Sequence, residues 1–253
     1  MLIIRKQQMH AFQSAPRQRF ENSLVDHFIA HYPVECALLD NDQILQFIRA
    51  GIAKASNHGF STQRETGLFL GIMFILGSHF DTDPQFSWAM DALNDPLMPD
   101  SYERIRQAYA ETVDYLENVA GKDNQLIVKA LIRLKKLDIT EFDQIPEDDL
   151  QAKISESLQY CYPEKYEYQG QENVDRLIKS SMVRAAKYGI DSHPGKATFA
   201  ALSFMLGENF DIDPLQPWAA QTLSDDSENA HMDKTERLYL ASLQHIEHSL
   251  SGY

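Results

Sequence analysis

Cysteine is nearly absent from this 253-residue chain: Cys36 and Cys161 are the only two. They show no metal-ligand spacing and nothing resembling a disulfide framework, which fits a reducing compartment. Long apolar runs are missing as well. The longest, residues 68–76, falls far short of the roughly 20 residues that span a bilayer, and Met1-Leu2-Ile3-Ile4-Arg5-Lys6 is too short an apolar start for a signal peptide. The reading is a cytoplasmic protein without membrane insertion. Basic charge is scarce: Lys and Arg total 23 against 37 Asp and Glu, a formal net charge of −14. Such a surface repels phosphate backbones, so nucleic acid is an unsuitable partner, and the charge favours solubility or a basic protein. There is no Gly-rich phosphate loop, no G-x-S-x-G elbow, no C-x-x-C and no recognisable pair of catalytic acids. The expectation is therefore no catalytic residue and no cofactor. Strand-like alternation of useful length is lacking too, which makes the class all-α.

Tryptophan is equally rare, and both copies lie inside a stretch that occurs twice. Leu76-Gly77-Ser78-His79-Phe80-Asp81-Thr82-Asp83-Pro84 leads to Trp88-Ala89, and Leu206-Gly207-Glu208-Asn209-Phe210-Asp211-Ile212-Asp213-Pro214 leads to Trp218-Ala219. The shared pattern is L-G-x-x-F-D-x-D-P-x-x-x-W-A. The same offset pairs Tyr32-Pro33 with Tyr162-Pro163, Ile48 with Ile178, Gly59 with Gly189, Phe69 with Phe199 and Tyr109 with Tyr239. Aligned positions keep apolar character, as expected of two copies of one fold that each keep a core, and the period is that of domain-sized units. The division is a first helical unit over 1–120, a connecting segment over 121–146 and a second helical unit over 147–253.

Each unit reads as five helices. In the first they cover residues 19–31, about 41–58, 62–76, 84–93 and 100–119. No structure is assigned before Arg17. Tyr32-Pro33 stops the first helix, an acid near Asp40 caps the second, and Gly59 supplies a left-handed exit. Thr62 and Glu65 have capping-box spacing ahead of an almost wholly apolar, central helix. Asp83 before Pro84 suits the cap and first position of the fourth helix. The fifth carries Ile105, Tyr109, Val113 and Leu116 as its buried stripe. The second unit repeats the plan over 147–161, 172–188, 192–206, 214–223 and 231–250. Between them Leu126, Ile127, Ala130, Leu131, Leu134 and Leu137 have helical spacing. Lys129, Arg133, Lys135 and Lys136 make the dense basic patch of an acidic chain there, a candidate partner contact on a helix that packs on one unit or wedges between both.

The candidates for chemistry are few. Asp81/Asp83 and Asp211/Asp213 place two carboxylates in a turn, as a hard cation would require, yet the other ligands of an EF-hand loop are absent. Capping is the better explanation, so Gly77, Phe80, Asp81, Asp83, Pro84 and Trp88, with Gly207, Phe210, Asp211, Asp213, Pro214 and Trp218, are read as structural and no metal site is assigned. His27/His31 and His245/His248 share helix faces but lack a zincin's Glu, and read as surface histidines.

The motif stretches, from Asn57-His58-Gly59-Phe60 to Ala89 and from Lys187-Tyr188-Gly189-Ile190 to Ala219, with the start Ile4-Arg5-Lys6-Gln7-Gln8-Met9 and Phe12, resemble a group of poorly characterised bacterial proteins encoded among type VI secretion components and their effectors. Those proteins commonly carry one copy of the unit; this chain reads as a tandem duplication. The resemblance implies a non-catalytic adaptor or chaperone that holds a secreted effector, or alternatively an immunity protein that occludes a toxin. A metal-assisted enzyme or secreted effector using the Asp-x-Asp-Pro turns is the alternative of another class.

Overall fold

The computed structural model describes residues 6–225 and 232–251, with side chains over 16–225 and 232–250. Ile4 and Arg5 of the family-like start, and His231, where the last helix was expected to begin, lie outside the described residues. All described regular structure is helical.

α1 spans Lys6–His31, so the helix expected from Arg19 extends back through Pro16 to Lys6. Proline inside a helix removes one amide bond, which is why the sequence reads as a break there. Arg17 and Arg49 donate to opposite oxygens of the buried Glu21 carboxylate at 2.9 and 3.0 Å, pinning α1 to α3, Asn41–Asn57. α2, Pro33–Cys36, restarts directly after the Tyr32-Pro33 break. Asp40 caps α3 with Gln43 reaching back, and Thr62 with Glu65 closes the expected capping box on α4, Gln63–Leu76. Gly59 leaves α3 at a φ of 82°, a conformation that suits glycine.

The fourth helix differs from expectation. Pro84–Phe86 is a short 3-10 turn capped by Asp83, and α5 proper is Ser87–Leu93. Phe86, at φ −121° and ψ 41°, lies outside the helical region and separates the two. α6 is Ser101–Val119 with Asp100 as its cap. Its buried face is also rotated from the expected stripe: Ala108, Thr112 and Tyr115 are buried with Ile105, whereas Val113 is exposed. Thr112 can be buried because its hydroxyl donates to the Ala108 carbonyl, so a polar residue replaces the branched one on the inner face.

α7, Gln125–Lys136, is the connecting helix. α8 (Glu147–Cys161), α9 (Pro163–Gln169), α10 (Gln171–Lys187), α11 (His193–Leu206), α12 (Pro217–Ser224) and α13 (Lys234–Ser251) complete the chain. α12 begins at Pro217 rather than Pro214. The bounds of α3 and α10, and of α4 and α11, recur at the sequence offset of the repeat. α7 packs on α8 and α13, so of its two expected placements it takes the one against the second unit.

The units do not keep separate cores. Leu24, Phe28, Phe47 and Phe69 from the first share one buried cluster with Ile154, Leu177, Ile178 and Phe204 from the second. A smaller cluster around Phe199, Phe210 and Leu238 belongs to the second unit alone. α6 packs on α9, and the 3-10 turn after Asp83 packs on α10, so the elements framing the motif meet the other unit.

Glu65 is the buried acid that ties α4 to α6. It accepts from the Ser101 hydroxyl at 2.5 Å and from the Thr62 and Ser61 amides at 2.8 and 3.1 Å. The Ser101 and Thr62 hydrogen bonds hold its carboxyl down at about 2, against an ordinary 4.5. A carboxylate whose folded value is depressed stabilises the fold above its unfolded value, and that contribution is lost as pH falls through 4.5 toward 2. Glu65→Gln is thus expected to lower the melting temperature at pH 7 and to flatten the acid limb of the stability curve; equal losses at pH 7 and pH 3 would contradict this.

Candidate functional site

The two acids of each D-x-D turn have different jobs. The first holds the end of a helix in its own unit. Lys54 Nζ lies 2.7 Å from Asp81, with His58 Nε2 at 3.4 Å. At the matching positions of the second unit, Arg184 grips both oxygens of Asp211 at 2.6 and 2.5 Å and the Tyr188 hydroxyl donates at 2.7 Å. Burial raises the Asp81 carboxyl, but the His58 and Lys54 hydrogen bonds prevail and hold it below its ordinary value.

The second acid crosses to the other unit. Asp83 accepts from the Gln85 amide at 2.9 Å, as a local cap, and from the Glu208 amide at 2.7 Å. Asp213 accepts from the Leu215 amide at 2.8 Å, and from the Ser78 amide at 2.8 Å and hydroxyl at 2.5 Å. Ser78 and Glu208 are equivalent positions, so the contact is reciprocal, like the isologous face of a symmetric dimer. Glycine is required at its centre: a Cβ on Gly77 would stand 3.0 Å from the Leu206 carbonyl, and one on Gly207 3.4 Å from that of Leu76. Both glycines have φ near 100° as well. Phe80 and Phe210 fill the cores behind the turns, while Pro84 and Pro214 are partly buried. Burial pushes the Asp83 carboxyl up to about 6, against the pull of the Glu208 and Gln85 amides.

Trp88 and Trp218 are partly buried rather than central, and each lines a groove. The grooves correspond only in part, at Trp88/Trp218, Tyr168/Leu38 and Glu111/Ala241, and these shared places are finished differently. On one side Tyr115 of α6 meets Tyr168 of α9 edge-on at 5.1 Å and lies 5.9 Å from Trp88, closing the inner part with aromatic rings. On the other side the matching residues are His245 and Leu38. His245 stacks on Trp218 at 5.2 Å, and an open groove of about 380 Å³ remains between α2, α12 and α13. Its rim includes Val34, 38% exposed, and Leu38, 48% exposed. His245 corrects the surface reading: burial pushes its imidazole down to about 4, so it faces the groove neutral. His27 and His31 are exposed as expected, with rings 4.2 Å apart.

Comparison with known proteins is uninformative here. No family model, no curated protein and no solved structure matches the chain. The site must be read from its own geometry.

Among the described residues no group of three or more His, Cys, Asp or Glu is placed to hold a metal ion, and no helix is long and apolar enough to cross a membrane. The four basic residues of α7 divide into two classes. Lys135 pairs with Glu247 of α13 at 2.6 Å, and Arg133 reaches the Tyr160 and Cys161 carbonyls at 3.4 Å, so both brace the helix. Lys129 and Lys136 are exposed. The groove residues Val34 and Leu38 escaped the sequence reading because nothing in their spacing or type departs from that of ordinary apolar residues, while His245 was singled out but placed on the surface.

If the second acids join the units, Asp213→Asn will set an amide NH₂ against a donor and leave the Ser78 side of the contact unsatisfied. A loss of about 1–3 kcal/mol is expected by denaturant unfolding. Because the contact is reciprocal, Asp83→Asn combined with it should be non-additive. Independent, additive losses would show that the two turns do not act as one joint.

Proposed function

We propose that this chain is a non-catalytic, protein-binding accessory protein whose open groove between α2, α12 and α13 receives an apolar segment of its partner. The observation that carries this is the inequality of two equivalent places: between corresponding helices, the rings of Tyr115 and Tyr168 meet beside Trp88, whereas His245 and Leu38 leave an apolar trough beside Trp218. A trough with exposed Val34 and Leu38 on its lip and a neutral imidazole against Trp218 offers apolar contact with few charges to desolvate. The net charge of −14 supports a basic partner, since complementary charge steers association.

The resemblance of the L-G-x-x-F-D-x-D-P-x-x-x-W-A stretches supports a setting in a bacterial type VI secretion system, with the chain acting in the cytoplasm as adaptor or chaperone for a secreted effector. An immunity role, in which the same groove occludes a toxin, is the second reading and draws on the same acidic surface. The metal-assisted alternative needs carboxylate oxygens to spare; Asp83 and Asp213 carry amide and hydroxyl donors on both oxygens, and Asp211 is held by Arg184 and Tyr188.

A tagged pull-down from the native host, with mass spectrometry of stoichiometric co-purifying protein, identifies the partner. Leu38→Asp is then expected to weaken its binding about tenfold or more, because it sets a charge that must be desolvated against the partner's apolar segment, with the melting temperature unchanged. Charge reversal at Lys129 and Lys136, which leaves the bracing pairs intact, tests the α7 surface in parallel. Full binding by Leu38→Asp would move the interface away from the groove.

A further inference from the structure

Inward of the groove lies a buried cation that neither the helix plan nor the partner-binding reading uses. Lys165 of α9 is 5% exposed and lines a cavity of about 170 Å³ between the units, with Phe86, Tyr115, Tyr162 and Asp213. Its ammonium stands over the ring of Phe204 at 5.1 Å and of Phe86 at 5.9 Å, and it makes no hydrogen bond or ion pair with any described residue. A buried charge is normally paired and hydrogen-bonded. Here the neighbouring acids are already engaged: Asp83 accepts from Gln85 and Glu208, and Asp213 from Ser78 and Leu215. The Tyr162 hydroxyl is engaged too, donating to the Val119 carbonyl at 2.6 Å.

Phe74, Leu215 and Gln216 line both this cavity and the open groove, so the two spaces adjoin across these three residues. The matching residue of the first unit is Glu35, which lines that groove, so the amine is a property of one copy only. Cavity size and wall limit what fits. A cavity of about 150 Å³ holds benzene, and this one is slightly larger, with the rings of Phe86, Tyr115 and Tyr162 on one part of its wall and Asp213 and Gln216 on another. Two acids beside the amine oppose an anionic ligand and favour a neutral one.

We propose that Lys165 is the nucleophilic amine of a binding site for small aldehydes or ketones with an apolar body, captured as an imine. The Nζ lone pair attacks the carbonyl carbon and the carbonyl π pair moves to oxygen. Nitrogen then gives up its two protons through solvent, the oxygen leaves as water, and a C=N bond replaces C=O. No oxidant or reductant is consumed, and hydrolysis reverses the step. Desolvation of a lysine in an apolar pocket is a recognised way to make it nucleophilic near neutral pH. Burial pushes the Lys165 amine down to about 8, with Asp83 pulling it back up. Of the facing groups, Asp83 titrates at about 6 and burial holds the Tyr115 hydroxyl well above its ordinary value, so neither of these changes charge in the amine's own range.

The test is reductive trapping on the full chain with benzaldehyde and cyanoborohydride between about pH 6 and 9, followed by peptide mass spectrometry of each lysine. Lys165 is expected to be benzylated about tenfold faster than the exposed Lys129 and Lys136 near pH 7.5, because far more of it is neutral there, with a rate that rises through about pH 8. Modification spread over exposed lysines, with Lys165 untouched or no faster than they are, would overturn the proposal. Lys165→Met should remove the fast phase while circular dichroism shows the helices retained. Should that variant fail to fold, the site-resolved rates in the unmodified chain decide alone. The result is independent of partner binding, so either reading can fail without the other.

Discussion

Two backbone amides, on Ser78 and Glu208, decide how this chain is assembled. Each sits just after a helix-ending glycine, where no helical carbonyl is available to it, and each is taken by a carboxylate of the other unit. The glycines let the two turns approach until a Cβ would crowd the opposite carbonyl. Separating the units would strip each of the two acids of its donors from the other unit, leave the two amides without their acceptors, and expose a core drawn from both. The repeat is thus two halves of one body. The division of labour inside D-x-D follows: one acid finishes its own unit from within the turn, and the other, at the turn's end, reaches across.

Symmetry of the joint makes asymmetry elsewhere informative. Where both copies keep a residue, as at Phe80/Phe210 or Asp83/Asp213, packing and hydrogen bonding account for it. Where they part, as at Tyr115/His245 and Lys165/Glu35, both residues lie in corresponding helices while their chemistry differs; at Tyr168/Leu38 the backbone differs too, because α9 runs on to Gln169 whereas α2 ends at Cys36. These differing positions cluster around the seam. One copy spends its aromatic rings closing the space, and the other leaves it open. The core diverges as well, as at Phe60/Ile190 and Leu70/Ala200, but there one apolar residue replaces another, whereas at the seam the chemical type changes.

Much of this frame was legible in the sequence because local chemistry specifies it. Capping residues at Asp40, Thr62 and Asp83, positive-φ glycines and the apolar α4 are read from neighbours within a few positions. The rotated face of α6 was not, since Thr112 is buried only by virtue of a bond to its own helix and Tyr115 only by facing α9. The extent of α1 was hidden by Pro16. What escaped entirely was contact across the repeat, because no periodicity encodes which unit a side chain will meet. Asp83 and Asp213 were read as local caps, which they are, but half of their hydrogen bonding lies more than a hundred residues away.

The buried charges around the seam show why the site is hard to explain by stability alone. Burial drives the Asp83 carboxyl up and the Lys165 amine down, each toward its neutral form. A lysine retained as a counter-ion would be drawn into contact with Asp83, since attraction at ion-pair distance is what offsets the cost of burying both. Gln85 occupies that place instead, its amide group bonded to Asp83, to the Ser203 carbonyl and, through its oxygen, to Gln169. The acid is therefore satisfied without the lysine, and the lysine is left to aromatic faces. An apolar residue of similar length would fill the same volume without the desolvation penalty, so within the fold the amine is offset only by the faces of Phe86 and Phe204 and the field of Asp83.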